Sequence, residues 1–114
     1  MEIARAVTRF EPLLVLCRDA GHQRYIHGRL ERAAVSAAAV SFAVVPTNDT
    51  WVRDYGPLAV LQEDRPVLHD FSFDGWGGKY PATLDNAASL TLFSAGVFGT
   101  VDYLRHTLVL EGGS

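Results

Sequence analysis

The sequence has little cysteine and no excess of positive charge. Cys17 is the single cysteine among 114 residues, so a disulfide framework within the chain is excluded. A reducing, cytoplasmic compartment is the simplest prediction for such a chain. Ten Lys and Arg stand against thirteen Asp and Glu, for a net charge of -3. Because nucleic-acid-binding proteins usually carry a basic surplus, we predict no nucleic-acid partner.

Long hydrophobic runs are also missing. The longest apolar stretch, 33–45, is interrupted by serines and is too short to span a bilayer, which argues against a membrane partner. The first residues carry an acid early and lack the apolar core of a signal peptide. A chain of this length buries a modest fraction of its surface, and it stops just past a predicted strand. We therefore expect a piece of a longer protein.

The composition nevertheless suits a folded domain, with 48% hydrophobic and 20% charged residues. One predicted helix has an apolar face made of residues at helical spacing: Ile3, Ala6, Val7 and Phe10. The apolar run 13–17 predicts a buried parallel strand. Asp19 is a candidate N-cap for a helix over about 22–39, and 41–45 predicts the next strand. Such a strand–helix–strand unit crosses over right-handedly.

The second half predicts both antiparallel and parallel pairing. Strands over 57–61 and 67–73 flank a turn and form a hairpin. A glycine-rich loop follows, and then a helix over 84–95 with Thr83 as candidate cap and Gly96 at its end. Two weaker strands are predicted at 101–104 and 108–110. The fold class is therefore mixed α/β.

The densest polar segment is 48–57, Asn-Asp-Thr-Trp-Val-Arg-Asp-Tyr-Gly-Pro. It follows a strand end, where α/β proteins commonly build sites. A carboxylate beside an indole can bind a flat cation such as a guanidinium. Alternatively, Arg53 and Asp54 form a surface ion pair and Trp51 belongs to the core. Strand periodicity places Trp51 and Asp54 on opposite faces, so a shared site requires a bend there.

The second candidate is the glycine-rich stretch 74–80, Asp-Gly-Trp-Gly-Gly-Lys-Tyr. Its glycines and lysine suggest a phosphate cradle, but the spacing is wrong, and Tyr80 stands where a magnesium-binding Ser or Thr is needed. The favoured interpretation is a tight loop in which glycines adopt positive φ while Trp76 and Tyr80 pack locally.

The remaining candidates are weaker. No two histidines show a zinc-like spacing, so we expect His22, His27, His69 and His106 to be structural or solvated, and no metal is predicted. Cys17 lies in a buried strand, where a thiol has a raised pKa and is inert. Glu111, followed by two glycines at a strand end, marks either an approach to a ligand or a plain turn.

Together these segments resemble one family. Segment 48–57 is similar to the N-D-T-W-x-R-D-Y/F-G-P signature of agmatine deiminases and bacterial (Porphyromonas-type) peptidylarginine deiminases. Segment 71–80 is similar to their F-x-F-N-G-W-G-G-K-Y stretch, with Asp74 where Asn is common. The sequences at 84–86 (Leu-Asp-Asn) and 108–114 (Leu-Val-Leu-Glu-Gly-Gly-Ser) match in the same order.

The resemblance implies a fold called the pentein, an α/β propeller of five ββαβ-type blades with the substrate on its axis. Residues 1–114 would be the N-terminal fragment of a pentein-type deiminase domain, a partial pentein with about one blade and part of the next.

The resemblance also implies hydrolysis of a guanidine to a urea with release of ammonia, by a cysteine thiolate and a histidine, without a cofactor. The substrate would be agmatine, giving N-carbamoylputrescine, or a peptidyl-arginine, giving citrulline; agmatine is favoured. By position, Asp54 and Glu111 match guanidinium-binding carboxylates, and Trp51 lines the same pocket. Residues that match the site wall are Trp76, Gly77, Gly78 and Lys79.

The family's reacting cysteine and histidine match nothing in this sequence, so the chain alone is predicted to be inactive. The alternative is a non-catalytic small α/β module that binds a cation or self-associates through open strand edges. A chance match of three ordered motifs is a third, less favoured interpretation.

Overall fold

The computed structural model describes residues 1–110, so Glu111 lies outside the described residues. The chain divides after Pro46 into two compact units. Both contain helices and strands, with one parallel two-stranded sheet and one mixed three-stranded sheet. The predicted mixed α/β class is confirmed. Within residues 1–110, every helix is too short or too polar to cross a membrane.

The first unit contains the predicted strand–helix–strand arrangement. Its elements are helix α1 (Glu2–Val7), strand β1 (Leu13–Cys17), helix α2 (Ala20–Arg32), a 3-10 turn (Ala37–Ala39) and strand β2 (Val40–Val44). β1 and β2 pair in parallel, with Leu13 opposite Val40 and Cys17 opposite Val44. The apolar run 13–17 correctly predicted the strand and its parallel pairing, but the predicted burial is wrong in part, because only Cys17 is buried and residues 13–16 are partly exposed.

Helix α2 begins as predicted but ends early. Asp19 caps it, because its Oδ1 accepts a hydrogen bond from the His22 backbone N–H at 2.7 Å. The helix ends at Arg32 rather than near residue 39, since Ala34 adopts a left-handed conformation with φ of 58°. The Val35 N–H then bonds back to Leu30 O at 3.0 Å, which closes the helix end. Alanine favours helix, so the alanine-rich sequence concealed this stop.

The core of the first unit lies where α1 and α2 approach the sheet. Its buried members are Ala4, Leu30, Ala33 and Val35. The predicted inner face of α1 is wrong in part: Ile3 is 79% exposed and Phe10 is 86% exposed. The helix ends at Val7, which removes Phe10 from its apolar face and leaves Ala4 as the buried residue.

The second unit is built on a sheet with strand order β3-β4-β5. Its elements are helix α3 (Val52–Tyr55), strands β3 (Leu58–Gln62) and β4 (Arg65–Ser72), a single turn α4 (Gly75–Gly78), helix α5 (Thr83–Ser94) and strand β5 (Asp102–Val109). β3 and β4 form the predicted antiparallel hairpin, whose turn residues Glu63 and Asp64 both have positive φ. β5 runs parallel to β4 and is one strand where two were predicted.

Helix α5 ends at the predicted glycine. Gly96 has a φ of 76°, its N–H bonds to Phe93 O, and the Val97 N–H bonds to Leu92 O. This is the Schellman pattern, which satisfies the last carbonyl groups of a helix. The buried face of α5 carries Asp85, Ala88, Ser89 and Leu92. Asp85 is therefore a carboxylate in the interior of the unit.

Candidate functional site

Segment 48–57 contains the bend that a shared site requires. Helix α3 is one turn, closed by a bond from the Gly56 N–H to Val52 O at 2.7 Å. The extended periodicity assumed for Trp51 and Asp54 is wrong, because both lie on this turn or at its start. Trp51 is 63% exposed, so its alternative assignment to the core is wrong. The guanidinium-pocket role of Trp51 stays a prediction.

The Asp54 carboxylate contacts Trp76, a residue of the glycine-rich stretch. The Trp76 Nε1–H donates to Asp54 Oδ2 at 3.0 Å, across 22 residues of sequence. Two aromatic rings pack edge-on with the indole, Phe73 at 5.1 Å and Tyr80 at 5.8 Å between centroids. Because the rings restrain the indole, its polar edge holds one oxygen of the carboxylate in place. Asp54 itself is half-buried.

The turn α4 has the opposite hand from an ordinary helix. Four consecutive residues have positive φ, namely Gly75, Trp76, Gly77 and Gly78, at 75°, 61°, 75° and 79°. Trp76 is not glycine, and such a conformation costs about 1 to 3 kcal/mol, which interactions with the surroundings must offset. The Asp74 side chain supports the turn by accepting from the Gly77 N–H at 2.9 Å. The predicted loop of positive-φ glycines is confirmed.

The glycines of this turn differ in what surrounds them. A Cβ on Gly75 would lie 2.2 Å from Tyr80 O, so backbone packing demands glycine there. Nothing lies within 4 Å of a Cβ placed on Gly77 or Gly78. Gly77, Gly78 and Lys79 are exposed and directly follow Trp76 in the sequence. Their role in the site wall stays a prediction.

The start of α5 is capped by a residue from the polar segment, not by Thr83. Thr83 is the first helical residue, and Ala82 at the N-cap position has no side chain to accept a bond. Instead Asn48 Oδ1 accepts from the Leu84 N–H at 2.9 Å and from the Asp85 N–H at 3.3 Å. The Thr83 prediction is wrong because the cap comes from a distant part of the chain.

The Asp85 side chain in turn accepts hydrogen bonds from the backbone of the polar segment. Its Oδ1 accepts from the Asn48 N–H at 2.7 Å and from the Asp49 N–H at 3.2 Å. The side chain is 1% exposed, and its other oxygen, Oδ2, has no hydrogen-bond partner among the described residues. In the sequence, Asp85 is an acidic residue near the start of a predicted helix, and an acid at this place stabilises a helix without any distant partner. The contact with the polar segment was therefore not predicted.

Strands β4 and β5 hold a second polar cluster that sequence reasoning missed. Asp70 is 1% exposed, and its Oδ2 accepts from Arg105 Nη1 at 2.7 Å and from the Tyr103 hydroxyl. Burial, and next the bond to Asp70, raise the pKa of Tyr103 to about 12. An acidic residue such as Asp70 in a predicted strand requires a partner if it is buried, and this requirement was the signal in the sequence from which the cluster could have been predicted.

On the other face of β4, His69 Nδ1 and His106 Nε2 lie 2.8 Å apart. The two rings stack at 5.1 Å, and Phe71 stacks on His106 at 4.6 Å. The expectation of structural histidines is confirmed for this pair. Across residues 1–110, no three His, Cys, Asp or Glu side chains converge as metal ligands would.

Cys17 is fully buried at the end of β1. Burial, reinforced by the nearby charge of Asp19, raises the pKa of its thiol. The reactive thiolate form is therefore disfavoured at neutral pH. That Cys17 is not a nucleophile stays a prediction, which its burial supports.

A comparison with solved structures shows which class of fold the chain has. Residues 1–110 closely resemble the corresponding part of solved α/β deiminase structures. A putative arginine deiminase from Porphyromonas gingivalis superposes with a TM-score of 0.82 at 33% identity, over 98% of this chain and 32% of that one. The C. jejuni agmatine deiminase with substrate bound gives 0.81 at 28% identity, over 99% and 31%.

The sequence then places the chain in a family. A model of the Porphyromonas-type peptidyl-arginine deiminase family matches residues 1–114, and the chain belongs to that family. The agmatine deiminase of Pseudomonas aeruginosa is 30% identical over 118 aligned residues, which is 98% of this chain and 30% of that protein. The chain thus spans about 30% of the length of the curated relatives that it matches.

Proposed function

We propose that this chain forms the guanidinium-binding part of a guanidine-hydrolysing deiminase, with agmatine as the favoured substrate and a peptidyl-arginine as the alternative. The observation that carries the proposal is the Asp54 carboxylate, which is half-buried and fixed by the Trp76 indole at 3.0 Å. A restrained carboxylate suits a planar guanidinium, because two N–H groups can pair with its two oxygens in one plane.

The other predicted residues take supporting roles in this proposal. The exposed indole of Trp51 offers a face to the cation. Glu111, outside the described residues, supplies the second carboxylate. Gly77, Gly78 and Lys79 contribute to the wall beside Trp76. Fixing the guanidinium from two sides orients its central carbon for attack, which is a contribution of positioning rather than of bond making.

We propose that the attacking thiolate and the proton-transferring histidine lie outside residues 1–114. Cys17 does not serve, because its thiol is buried with a raised pKa. The 114-residue chain alone is then inactive, and the reaction needs no cofactor. In this proposal the chain is the N-terminal fragment of a pentein propeller, about one blade and part of the next. The similarity to the C. jejuni and P. gingivalis structures supports this assignment. The cytoplasmic location stays a prediction.

The proposal is tested by titrating the chain with agmatine, followed by NMR and calorimetry. Putrescine is the matched ligand control, since it keeps the amine and lacks the guanidine. We expect agmatine to perturb residues around Asp54 at millimolar concentration, and we expect Asp54→Asn to remove this response. Equal behaviour of the parent and Asp54→Asn with agmatine would contradict the proposal.

Catalysis is tested by measuring ammonia release from a protein that contains this sequence together with the proposed cysteine and histidine. Removal of one preorganised electrostatic group typically lowers kcat by about 100-fold or more, and we expect a loss of this order for Asp54→Asn. The 114-residue chain is expected to release no ammonia from agmatine or arginine. Activity of the chain by itself would overturn the assignment of the reacting groups.

A second candidate function, self-association, has one specific observation in its favour. β3 and β5 are the outer strands of the described three-stranded sheet. Each carries a large exposed apolar side chain, Leu61 at 72% and Leu108 at 65%. Unpaired strand edges with apolar side chains favour pairing with another chain. Light scattering across a concentration series tests this candidate, and a strictly monomeric chain would exclude it.

A further inference from the structure

Two neighbouring residues of helix α5, Asp85 and Asn86, bond to the backbone of the segments that carry Asp54 and Trp76. We infer that Asp85 and Asn86 are positioning residues for the Asp54 carboxylate, because Asp85 fixes the backbone of the loop that precedes α3 and Asn86 fixes the backbone that leads into the turn carrying Trp76. The substrate part of this inference rests on the proposed function. The positioning part concerns the geometry of that hydrogen bond and stands without a ligand.

The Asp54 side is held through the polar segment. Asp85 Oδ1 accepts from the backbone N–H groups of Asn48 and Asp49, at 2.7 and 3.2 Å. Asp49 in turn accepts, through its backbone carbonyl, from the Tyr55 hydroxyl at 2.9 Å. Tyr55 is the residue after Asp54 in α3. A continuous series of bonds thus runs from Asp85 to the helical turn that carries the carboxylate.

Tyr55 is suited to transmit this restraint. Its side chain is 5% exposed, and its ring packs on Phe73 with centroids 5.8 Å apart. The Tyr55 hydroxyl is a protonated donor at neutral pH, and burial raises its pKa further above the ordinary value. A buried ring in α3 that is bonded to the loop leaves this turn little freedom to move independently of the loop.

The Trp76 side is held by the adjacent residue. Asn86 Oδ1 accepts from the Phe73 backbone N–H at 2.8 Å, at the point where β4 leads into the turn α4. Phe73 is 3% exposed and also contacts the Trp76 ring edge-on. Asn86 therefore fixes the start of the turn that presents the indole. The segments that carry the two partners of the hydrogen bond are therefore both bonded to the N-terminal end of α5.

The state of Asp85 argues for a positioning role beyond ordinary helix capping. A surface cap leaves its carboxylate in water, whereas Asp85 is 1% exposed with Oδ2 unpartnered among the described residues. A buried carboxylate oxygen without a partner is unfavourable for folding alone. The bonded oxygen, Oδ1, makes both of its hydrogen bonds with the loop backbone at Asn48 and Asp49 and none with α5 itself.

The first test follows the Trp76 indole Nε1–H by NMR, without ligand. Asp54→Asn serves as the reference, because it shows how the indole resonance changes when the acceptor of the Trp76 hydrogen bond is altered. We expect Asp85→Ala to shift the indole resonance and to speed its exchange with water on the order of tenfold, the effect of weakening one hydrogen bond substantially. Asp85→Asn keeps an acceptor oxygen and is expected to retain most of the parent signal. The matching variants at Asn86 are Asn86→Ala, which removes the acceptor for the Phe73 N–H, and Asn86→Asp, which keeps an acceptor oxygen.

The control separates positioning from a general loss of stability. Ala87→Gly weakens α5 but removes no acceptor from the loop or from Phe73, so the indole signal of the folded protein is expected to stay unchanged. The inference is overturned if Asp85→Ala and Asn86→Ala both leave the indole signal as in the parent, or if Ala87→Gly moves it equally. If Asp85→Ala does not fold, Asp85→Asn and the Asn86 pair decide.

The second test uses agmatine in a double-mutant cycle. Asp85→Ala is expected to weaken agmatine binding severalfold in the parent background and to have no further effect in the Asp54→Asn background. An effect that is equal in both backgrounds contradicts positioning through Asp54. If Asp54→Asn itself leaves agmatine binding unchanged, the proposed function fails, while the indole measurement still decides whether α5 positions the Asp54–Trp76 pair.

Discussion

Trp76 Nε1 and Asp54 Oδ2 are joined by a 3.0 Å hydrogen bond between a left-handed turn and a short right-handed helix. Neither segment belongs to a regular sheet or a long helix, so each depends on the contacts around it. The bond ties the two motifs that the sequence identified as candidates. The donor of this bond, Trp76, has a positive φ of 61°, a conformation that normally favours glycine.

The first prediction concerns the donor in this bond. Trp76→Phe keeps an aromatic ring between Phe73 and Tyr80 but leaves Asp54 Oδ2 without the indole N–H. We expect agmatine binding to weaken roughly three- to tenfold, the equivalent of one net hydrogen bond. Calorimetric titration measures the change. Tyr25→Phe is the control, since it removes a polar tip from an exposed ring on α2; a similar loss in the control would contradict the prediction.

The second prediction compares two glycines with the same φ. Gly75 and Gly77 both have a φ of 75°, so alanine at either position is strained, at a cost of about 1 to 2 kcal/mol. Only at Gly75 does a Cβ meet the backbone, 2.2 Å from Tyr80 O. We expect Gly77→Ala to lower the free energy of unfolding by about 1 kcal/mol and Gly75→Ala by about 3 kcal/mol or more. Urea unfolding measures both, and equal losses would refute the packing argument.

The third prediction concerns the buried ion pair of the sheet. Arg105→Met leaves the Asp70 carboxylate buried with the Tyr103 hydroxyl and without its cation. Loss of one partner of a buried pair costs roughly 3 kcal/mol; we take the lower end because the Arg105 side chain is 34% exposed. Thermal and urea unfolding measure the change. Arg65→Met, an exposed arginine at the start of β4, is the control and is expected to change stability by less than about 0.5 kcal/mol.

The fourth prediction concerns alkaline pH. The pKa of Tyr103 is raised from 10.0 to about 12 in the folded protein, chiefly by burial and next by its bond to Asp70. Below pH 10 the hydroxyl is protonated in both states, so its stabilising contribution is complete. Between pH 10 and about 12 the unfolded state loses its proton first, and this contribution is progressively lost.

The measurement is urea unfolding at a series of pH values for the parent and Tyr103→Phe. The difference in unfolding free energy between the two proteins is expected to shrink as the pH rises from 10 to 12, because phenylalanine does not titrate. Two curves that stay parallel across this range would show that Tyr103 does not contribute in this way.

Local signals in the sequence predicted local structure well. Asp19 caps a helix that begins beside it, and Gly96 ends a helix that stops beside it. The hairpin and the left-handed glycines also follow from residues close together in the chain. In each case the interaction spans a few residues, so residue type and spacing contain the necessary information.

Interactions between distant residues were not predicted. His69 and His106 are 37 residues apart, and their contact depends on the register between parallel strands. The Asn48 cap of α5 replaced the local candidate Thr83 for the same reason, since the distant amide reaches the helix start in the folded unit. The candidate segments could be named from composition, whereas the partner of Asp54 required the three-dimensional arrangement.

The bonds between Asp85 and the polar segment close a loop of 36 and 37 residues. Closure of a loop of this length loses chain entropy before any contact compensates for it, so it is disfavoured until the intervening hairpin is in place. We therefore expect the β3–β4 hairpin and α5 to form early in folding and the polar segment to dock last. The carboxylate of Asp54 would acquire its orientation only at the end of folding.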